Sequence, residues 1–395
     1  MATWMTLEEA RRQLGVRPQT IYAYVSRGRI AVSADPEDSR RSLYRSEDVA
    51  NLVRRKVSGR TRETLAATTL FGAEPSIPTA ISTFMGGRLY YRGIDAVSLA
   101  ATATLEDAAS LLWASEQPLV LAAASGPVSA VPAGRVRAFT ELAALTATGH
   151  STRGRAARVL VEESAGLVGR LATSFGASDD PALGLHERLA RGWRQPRAVA
   201  GLIRKTLVLL ADHEITSSAF SSRITASTGA SLAACLLAGL TTFSGPLHGD
   251  ASGRVRTLFD EVERSGPDAV VDRYLSSAMP IPGFGHPIYP DGDPRAAALM
   301  ADFEPPKPIA RFIDRVVWLT GLPPNIDVAL ATLATRYRLP ADAAFALFAV
   351  ARSVGLLAHS MEQLGVDSVI RPRGRYTGPT AELQPSAPRH RRKAR

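Results

Sequence analysis

From about residue 60 to residue 378, apolar residues recur every three to four positions, as in LEDAASLLW, IRKTLVLLADHE, GASLAACLLAGL and AAFALFAVARSVGLLAHSMEQL. That period is helical, and stretches apolar on nearly every face predict buried helices. Runs alternating between apolar and polar residues are scarce, and no repeat of 20 to 50 residues is visible. The spacing therefore predicts a mainly α, enzyme-sized domain. Residues 1–56 follow another pattern. Thr6-Leu7-Glu8-Glu9 reads as a capping box, Leu7, Ala10 and Leu14 share one helical face, and Gly15 ends that helix. Pro18 opens a second helix, QTIYAYVSRG, so two short helices meet at a tight turn. Residues 29–45, with a Pro36-Glu37-Asp38 turn, predict a two-stranded wing, and Ser46-Glu47-Asp48 the start of a third helix. Val57-Ser58-Gly59 reads as a linker.

Composition adds limits. A chain of 395 residues exceeds what one core usually serves, so at least two folding units are expected. The lone cysteine, Cys235, excludes an internal disulfide, and its apolar neighbours make it a buried structural thiol. The opening MATWMTLEEARRQLG lacks a secretory apolar core, so the expected location is cytoplasmic. The greasy run near residues 229–243 is broken by Thr241 and Thr242 and is too short for a membrane span, so no membrane partner is expected. The net charge is +10, but Arg389, Arg391, Arg392, Lys393 and Arg395 crowd the end, so residues 379–395 read as a basic disordered tail.

Candidate chemistry gathers around three histidines. Gly283-Phe284-Gly285-His286-Pro287-Ile288-Tyr289, closing on Asp293-Pro294-Arg295, sets a histidine in a glycine-flanked loop ahead of a guanidinium suited to a carboxylate. Asp212-His213-Glu214 and Gly245-Pro246-Leu247-His248-Gly249 place two more in comparable settings. Together they suit an acidic, carbonyl-bearing substrate. His150, His186, His359 and His390 read as ordinary core or surface residues, and Arg88 and Arg92 equally as structural ion-pair partners.

The ordered series GGRLYYRGID, DHEITSSAFSSRITAST, GPLHG, GFGHPIYPDGDPRA, PPNIDVAL, ARSVGLLAHSMEQ and IRPRGRYTGP spans roughly 300 residues and resembles citrate synthase. The resemblance implies a two-subdomain helical fold over 60–378, with a small subdomain at roughly 250–340 that closes on the large one. It implies condensation of acetyl-CoA with oxaloacetate to give citrate and CoA. Asp327, matching PN-x-D, is the implied base, His248 the donor to the thioester oxygen, and His286 the group that polarises the ketone. His213, Arg295, Arg352 and Arg371 are the implied acceptor ligands, Arg371 reaching from the other subunit of a homodimer with shared sites. Ile281, Gly283, Phe284 and Gly285 are the implied CoA contacts. No metal and no permanently bound cofactor are implied, the acyl-CoA being a cosubstrate. Residue chemistry agrees: forming a thioester enolate needs a carboxylate base and a donor at the developing oxyanion.

Residues 1–56 resemble excisionase-like and MerR-like winged helix-turn-helix domains through LEEARRQLGVRPQTIYAYVSRGRI and LYRSEDVANLVRRK. Arg17, Gln19, Thr20, Arg27 and Arg29 are the implied DNA-facing side chains. Eleven basic against seven acidic residues in this segment is a modest excess for a DNA binder. A docking or oligomerisation role is the alternative.

Departures from the family pattern keep other readings open. Pro287 stands where an arginine commonly follows the loop histidine, Thr216 where asparagine is common, and residues 120–185 diverge broadly. Synthesis of 2-methylcitrate or cleavage of citryl-CoA, and a ligand-sensing DNA-binding regulator built on the enzyme fold, are the alternatives.

Overall fold

A computed structural model describes residues 4–16, 18–26, 29–35, 38, 41–50, 52, 77–122, 129–366, 368–372 and 378. Arg17, Arg27, the Gln19 side chain, the 57–59 linker, His390 and the 379–395 tail lie outside the described residues. The chain divides into two compact units, Met1–Ser76 with Arg371–Arg395, and Ile77–Ile370.

In the first unit, helices Leu7–Leu14 and Pro18–Ser26 are followed by helical residues at 46–50. The predicted capping box forms: Thr6 Oγ1 accepts the Glu9 N–H at 3.3 Å and the Glu9 carboxylate accepts the Thr6 N–H at 2.8 Å. Gly15, at φ 58°, turns the chain out of the first helix. Val32–Ala34 and Ser42–Arg45 pair antiparallel, as the wing expectation required. A third strand, Trp4–Met5, joins the other side of Ser42–Arg45. Two residues show no periodicity, which is why it is silent in the sequence. Met5, Ala10, Leu14, Ile21, Ile30, Tyr44 and Val49 form the core.

The second unit opens with a three-stranded antiparallel sheet, Ser82–Met85, Arg88–Tyr91 and Ile94–Asp95. Gly86 and Gly87, both at positive φ, make the two-residue turn between Met85 and Arg88. The elements that follow among the described residues are helices, apart from an isolated bridge between Phe284 and Pro324. Ala343–Leu364 is long and apolar enough to cross a membrane by composition, but it is almost wholly buried as the central helix of the larger core. It packs against Ala157–Ser174, Arg197–Leu210, Ser217–Ser227 and Leu232–Phe243. Gly355 in this helix lies against the Asp212 carboxylate and the Ala211 carbonyl, which accepts the Gly355 N–H at 3.1 Å. Cys235 is buried, and burial pushes its thiol up to about 12. A second core joins Val255, Leu258, Phe259, Val262, Val270 and Val271 to Ile309, Phe312, Ile313 and Val316. Helix Ile326–Arg336 serves both cores: Val328 and Ala331 enter the second, while Ala329, Leu330 and Leu333 enter the first.

Candidate active site

The Asp212-His213-Glu214 turn follows helix Arg197–Leu210 and is fixed from three sides. Tyr91 Oη lies 3.1–3.2 Å from the Val208, Leu209 and Asp212 carbonyls, one of which takes its proton, and it accepts the Asp212 N–H at 3.2 Å. Asp212, 1% exposed, accepts a short hydrogen bond from Ser82 Oγ, and His359 Nε2 lies 3.3 Å from its other oxygen. Burial opposes ionisation of Asp212, but His359, Arg352 and Ser82 together hold its carboxyl below the usual range. Glu214 sits at φ 62°, a costly left-handed conformation held by its N–H donating to Ser82 Oγ at 2.9 Å. His213 is thereby presented inward, edge-on to Phe84 with centroids 4.8 Å apart, its Nε2 3.1 Å from Tyr289 Oη.

His286 faces the same space, 5.7 Å from the His213 ring and 4.9 Å from the Tyr289 ring. Its loop is clasped to the segment before helix Ile326–Arg336. Gly285 N–H donates to the Pro323 carbonyl at 2.8 Å, and Asn325 reaches the Gly283 carbonyl through its N–H at 2.9 Å and the Gly285 carbonyl through Nδ2 at 3.2 Å. Gly283 and Gly285 both need positive φ, and a Cβ on Gly283 would strike Val255 and Val328. Ile281 and Phe284 pack against the second core. These glycines therefore meet a demand of the fold, and part of the loop backbone is already hydrogen-bonded within the protein.

His248 lies in the turn before helix Ala251–Ser265, with Nε2 2.8 Å from Ser218 Oγ. Ser218 follows Thr216, which caps helix Ser217–Ser227 by accepting the Ala219 N–H at 3.4 Å. The unusual threonine thus keeps a capping role. Asp327 is not the cap of its helix. Asn325 holds that position, accepting the Asp327 N–H at 2.9 Å. Asp327 Oδ1 is buried without a protein partner.

Burial dominates the electrostatics of the cluster. Burial pushes the Asp327 carboxyl up to about 7, against a smaller opposing pull from Arg295. Burial, then Arg352, holds His248 down to about 4. His286 is lowered by burial and Arg295, and His213 more strongly by burial, Arg295 and Arg352. All three imidazoles are therefore neutral near pH 7. His286 Nδ1 accepts the Ile288 N–H at 3.2 Å, so its proton is on Nε2. Arg295 and Arg352 are each 2% exposed. Arg352 donates through Nε to the Leu210 carbonyl at 3.2 Å and has a buried Nη2 with no protein partner. Arg295 is gripped by Asp293 through Nε at 3.0 Å and Nη2 at 2.8 Å.

The fold thus gathers His213, His286, Arg295 and Arg352, with Asp327 within electrostatic reach of Arg295 and His248 within that of Arg352. Arg371 is exposed and falls in the first unit. Arg88 pairs with Asp95 at 2.7 Å and Arg92 donates to the Leu112 carbonyl at 3.1 Å, both structural uses. His150 is exposed, and His359 is buried between Asp212 and Arg223. Sequence reasoning missed Tyr289, Asp293 and Ser218 as neighbours of the cluster, although the first two lie within the singled-out loop.

The model of the citrate synthase C-terminal domain matches residues 137–373. The chain belongs to the citrate synthase family. Citrate synthase of Synechocystis sp. is 35% identical over 188 residues, 44% of this chain and 47% of that protein. The 2-methylcitrate synthase 2 of Corynebacterium glutamicum is 29% identical over 188 residues, 44% of this chain and 48% of that protein. The chain spans about half the length of the curated relatives it matches. The citrate synthase of Thermoplasma acidophilum, solved as a ternary complex with carboxymethyl coenzyme A and oxaloacetate, superposes with a TM-score of 0.66. That likeness covers 80% of this chain and 97% of that one at 20% identity, and shows a shared fold.

Proposed function

We propose that this family member is a citrate synthase, condensing acetyl-CoA with oxaloacetate and releasing CoA. The observation that carries the reading is a buried carboxyl at about 7 grouped with neutral imidazoles and two buried guanidiniums. A base poised near working pH suits removal of a weakly acidic methyl proton. Asp327 takes that proton, and the enolate oxygen is met by His248. Ser218 O–H donates to His248 Nε2 in this reading, leaving the proton on Nδ1 for the enolate. The new carbanionic centre attacks the ketone carbon of oxaloacetate. His286 Nε2–H donates to the developing alkoxide and protonates it. Water then hydrolyses the citryl thioester to citrate and free CoA. Arg295, Arg352 and His213 hold the acceptor, guanidiniums being better matched to carboxylates than ammonium groups. Ile281, Gly283, Phe284 and Gly285 form the CoA-facing loop in this reading, and Arg371 completes the site from a second copy in a homodimer. Residues 1–56 are assigned as a winged helix-turn-helix domain, supported by two short successive helices, the first of them capped at both ends, and by the hairpin.

CoA release with oxaloacetate, comparing acetyl-CoA and propionyl-CoA as donors, tests the assignment. Asp327→Ala should lower it by about 10²–10⁴-fold. Mixing Asp327→Ala with Arg371→Ala chains should restore part of it if sites are shared. Absence of CoA release by the unaltered chain with either donor would overturn both synthase readings.

A further inference from the structure

One buried carboxylate near the cluster has no part in the chemistry just described. Asp293 is 3% exposed and lies two residues before Arg295. Its Oδ1 accepts the Arg295 N–H and Nε–H, both at 3.0 Å, and its Oδ2 accepts the Arg295 Nη2–H at 2.8 Å. Oδ2 also accepts the N–H of Ile326 at 3.0 Å, thirty-three positions along the chain. An ordinary N-cap aspartate satisfies only the start of its own helix. This one reaches out of its helix to the residue that precedes Asp327.

We propose that Asp293 is a positioning residue, a single carboxylate that fixes the Arg295 guanidinium and the first turn of the Asp327 helix relative to one another. The Asn325 clasp onto Gly283 and Gly285 ties the same helix start to the His286 loop. With Asp293 added, the acceptor-gripping arginine, the ketone-polarising histidine and the base belong to one cross-linked piece. A bidentate pair also leaves less rotational freedom to the guanidinium than a lone charge would. The assignment of roles to Arg295 and Asp327 rests on the functional reading above.

The arrangement has an electrostatic signature that simple scaffolding lacks. Asp327 faces two charged groups, Arg295, which favours its ionised form, and Asp293, which opposes it. Asp293 in turn faces Arg295 and His286. Neutralising Asp293 removes a repelling charge and leaves the Arg295 charge uncompensated, so the Asp327 pKa must fall. Removing Arg295 leaves Asp293 uncompensated, so it must rise.

The test uses full-length Asp293→Asn, Asp293→Glu and Arg295→Gln, each checked for native circular dichroism. The Asp327 carboxyl is titrated by infrared difference spectroscopy, with Asp327→Asn as the blank, alongside the acid limb of the CoA-release profile. Asp293→Asn should move both downward by about one pH unit or more, a tenfold change in proton concentration, and Arg295→Gln should move the infrared titration upward. Asp293→Glu should stay near the unaltered chain. If Asp293→Asn fails to fold, the direction of the Arg295→Gln shift decides. A carboxyl titration unmoved in the folded variants overturns the proposal, whatever the activity. Opposite infrared shifts in a chain that releases no CoA would support Asp293 while sinking the functional reading.

Discussion

Asp327 carries its carboxyl at about 7, against an ordinary value of 3.8, chiefly because burial disfavours the charge. An acid whose folded pKa lies above its unfolded value binds its proton more tightly when folded. The cost of the ionised group is therefore complete above about pH 7, declines as pH falls and is gone below about 4. Asp327→Asn, which mimics the protonated form, should stabilise the protein by about 1–4 kcal/mol at pH 8 and leave it unchanged near pH 4. Urea denaturation at the two pH values measures this, and equal effects at both would contradict the burial of a charged base. Activity runs the opposite way, rising through pH 7 as the base ionises. The histidines are not expected to titrate in that range, since burial and the nearby guanidiniums keep them neutral. The residues proposed for the chemistry stand out in the sequence because motif spacing marks them. Those that orient them were less so. Ser218 looks like any helical serine until the fold sets it 2.8 Å from His248, and Asp293 looks like a plain helix cap until Ile326 arrives from elsewhere in the chain.

At the scale of elements, three- to four-residue spacing foretold the helices, and Thr6-Leu7-Glu8-Glu9 foretold a cap that forms in full. The apolar run AAFALFAVARSVGLLAHSMEQL, expected to be a buried helix, is the central helix Ala343–Leu364. The hairpin at Ser82–Tyr91 was present as GGRLYYRGID but read as motif, because its turn glycines matter to pairing only once the flanking strands are seen. Thr216 is the sharpest case. It stands where the family commonly has asparagine, and in this fold it caps the helix whose second residue, Ser218, contacts His248. Thr216→Ala should cost about 1 kcal/mol of stability by removing that cap, while Thr216→Asn should be nearly neutral. Thermal unfolding distinguishes them, and a large loss with asparagine would show that the methyl group rather than the cap is what the position requires.

At the scale of the molecule, helix Ile326–Arg336 belongs to both hydrophobic cores of the second unit. Any relative motion of those cores would be accommodated around the element that carries Asp327, the proposed base. The first unit raises a separate question, since Arg29 is exposed and Thr20 half-buried on a small fold with its own core. If residues 1–56 bind DNA, the full chain should bind random duplex with an affinity that falls steeply with salt. A chain lacking those residues should lose that binding, and an unchanged isotherm would exclude the segment as the binding module. The basic excess there was legible from composition, but which arginines face outward was not, because that depends on how short elements pack.

Gly355 has a consequence for how freely this sequence can change. Alanine is ordinarily the better helix former by about 1 kcal/mol, so replacing a glycine within helix Ala343–Leu364 looks like a simple stabilising substitution. Here any side chain would press on Asp212 and the Ala211 carbonyl, displacing the turn that presents His213. The position is closed to substitution by a loop more than a hundred residues away, and a change made for the sake of the helix would be registered first as a disturbed acceptor pocket.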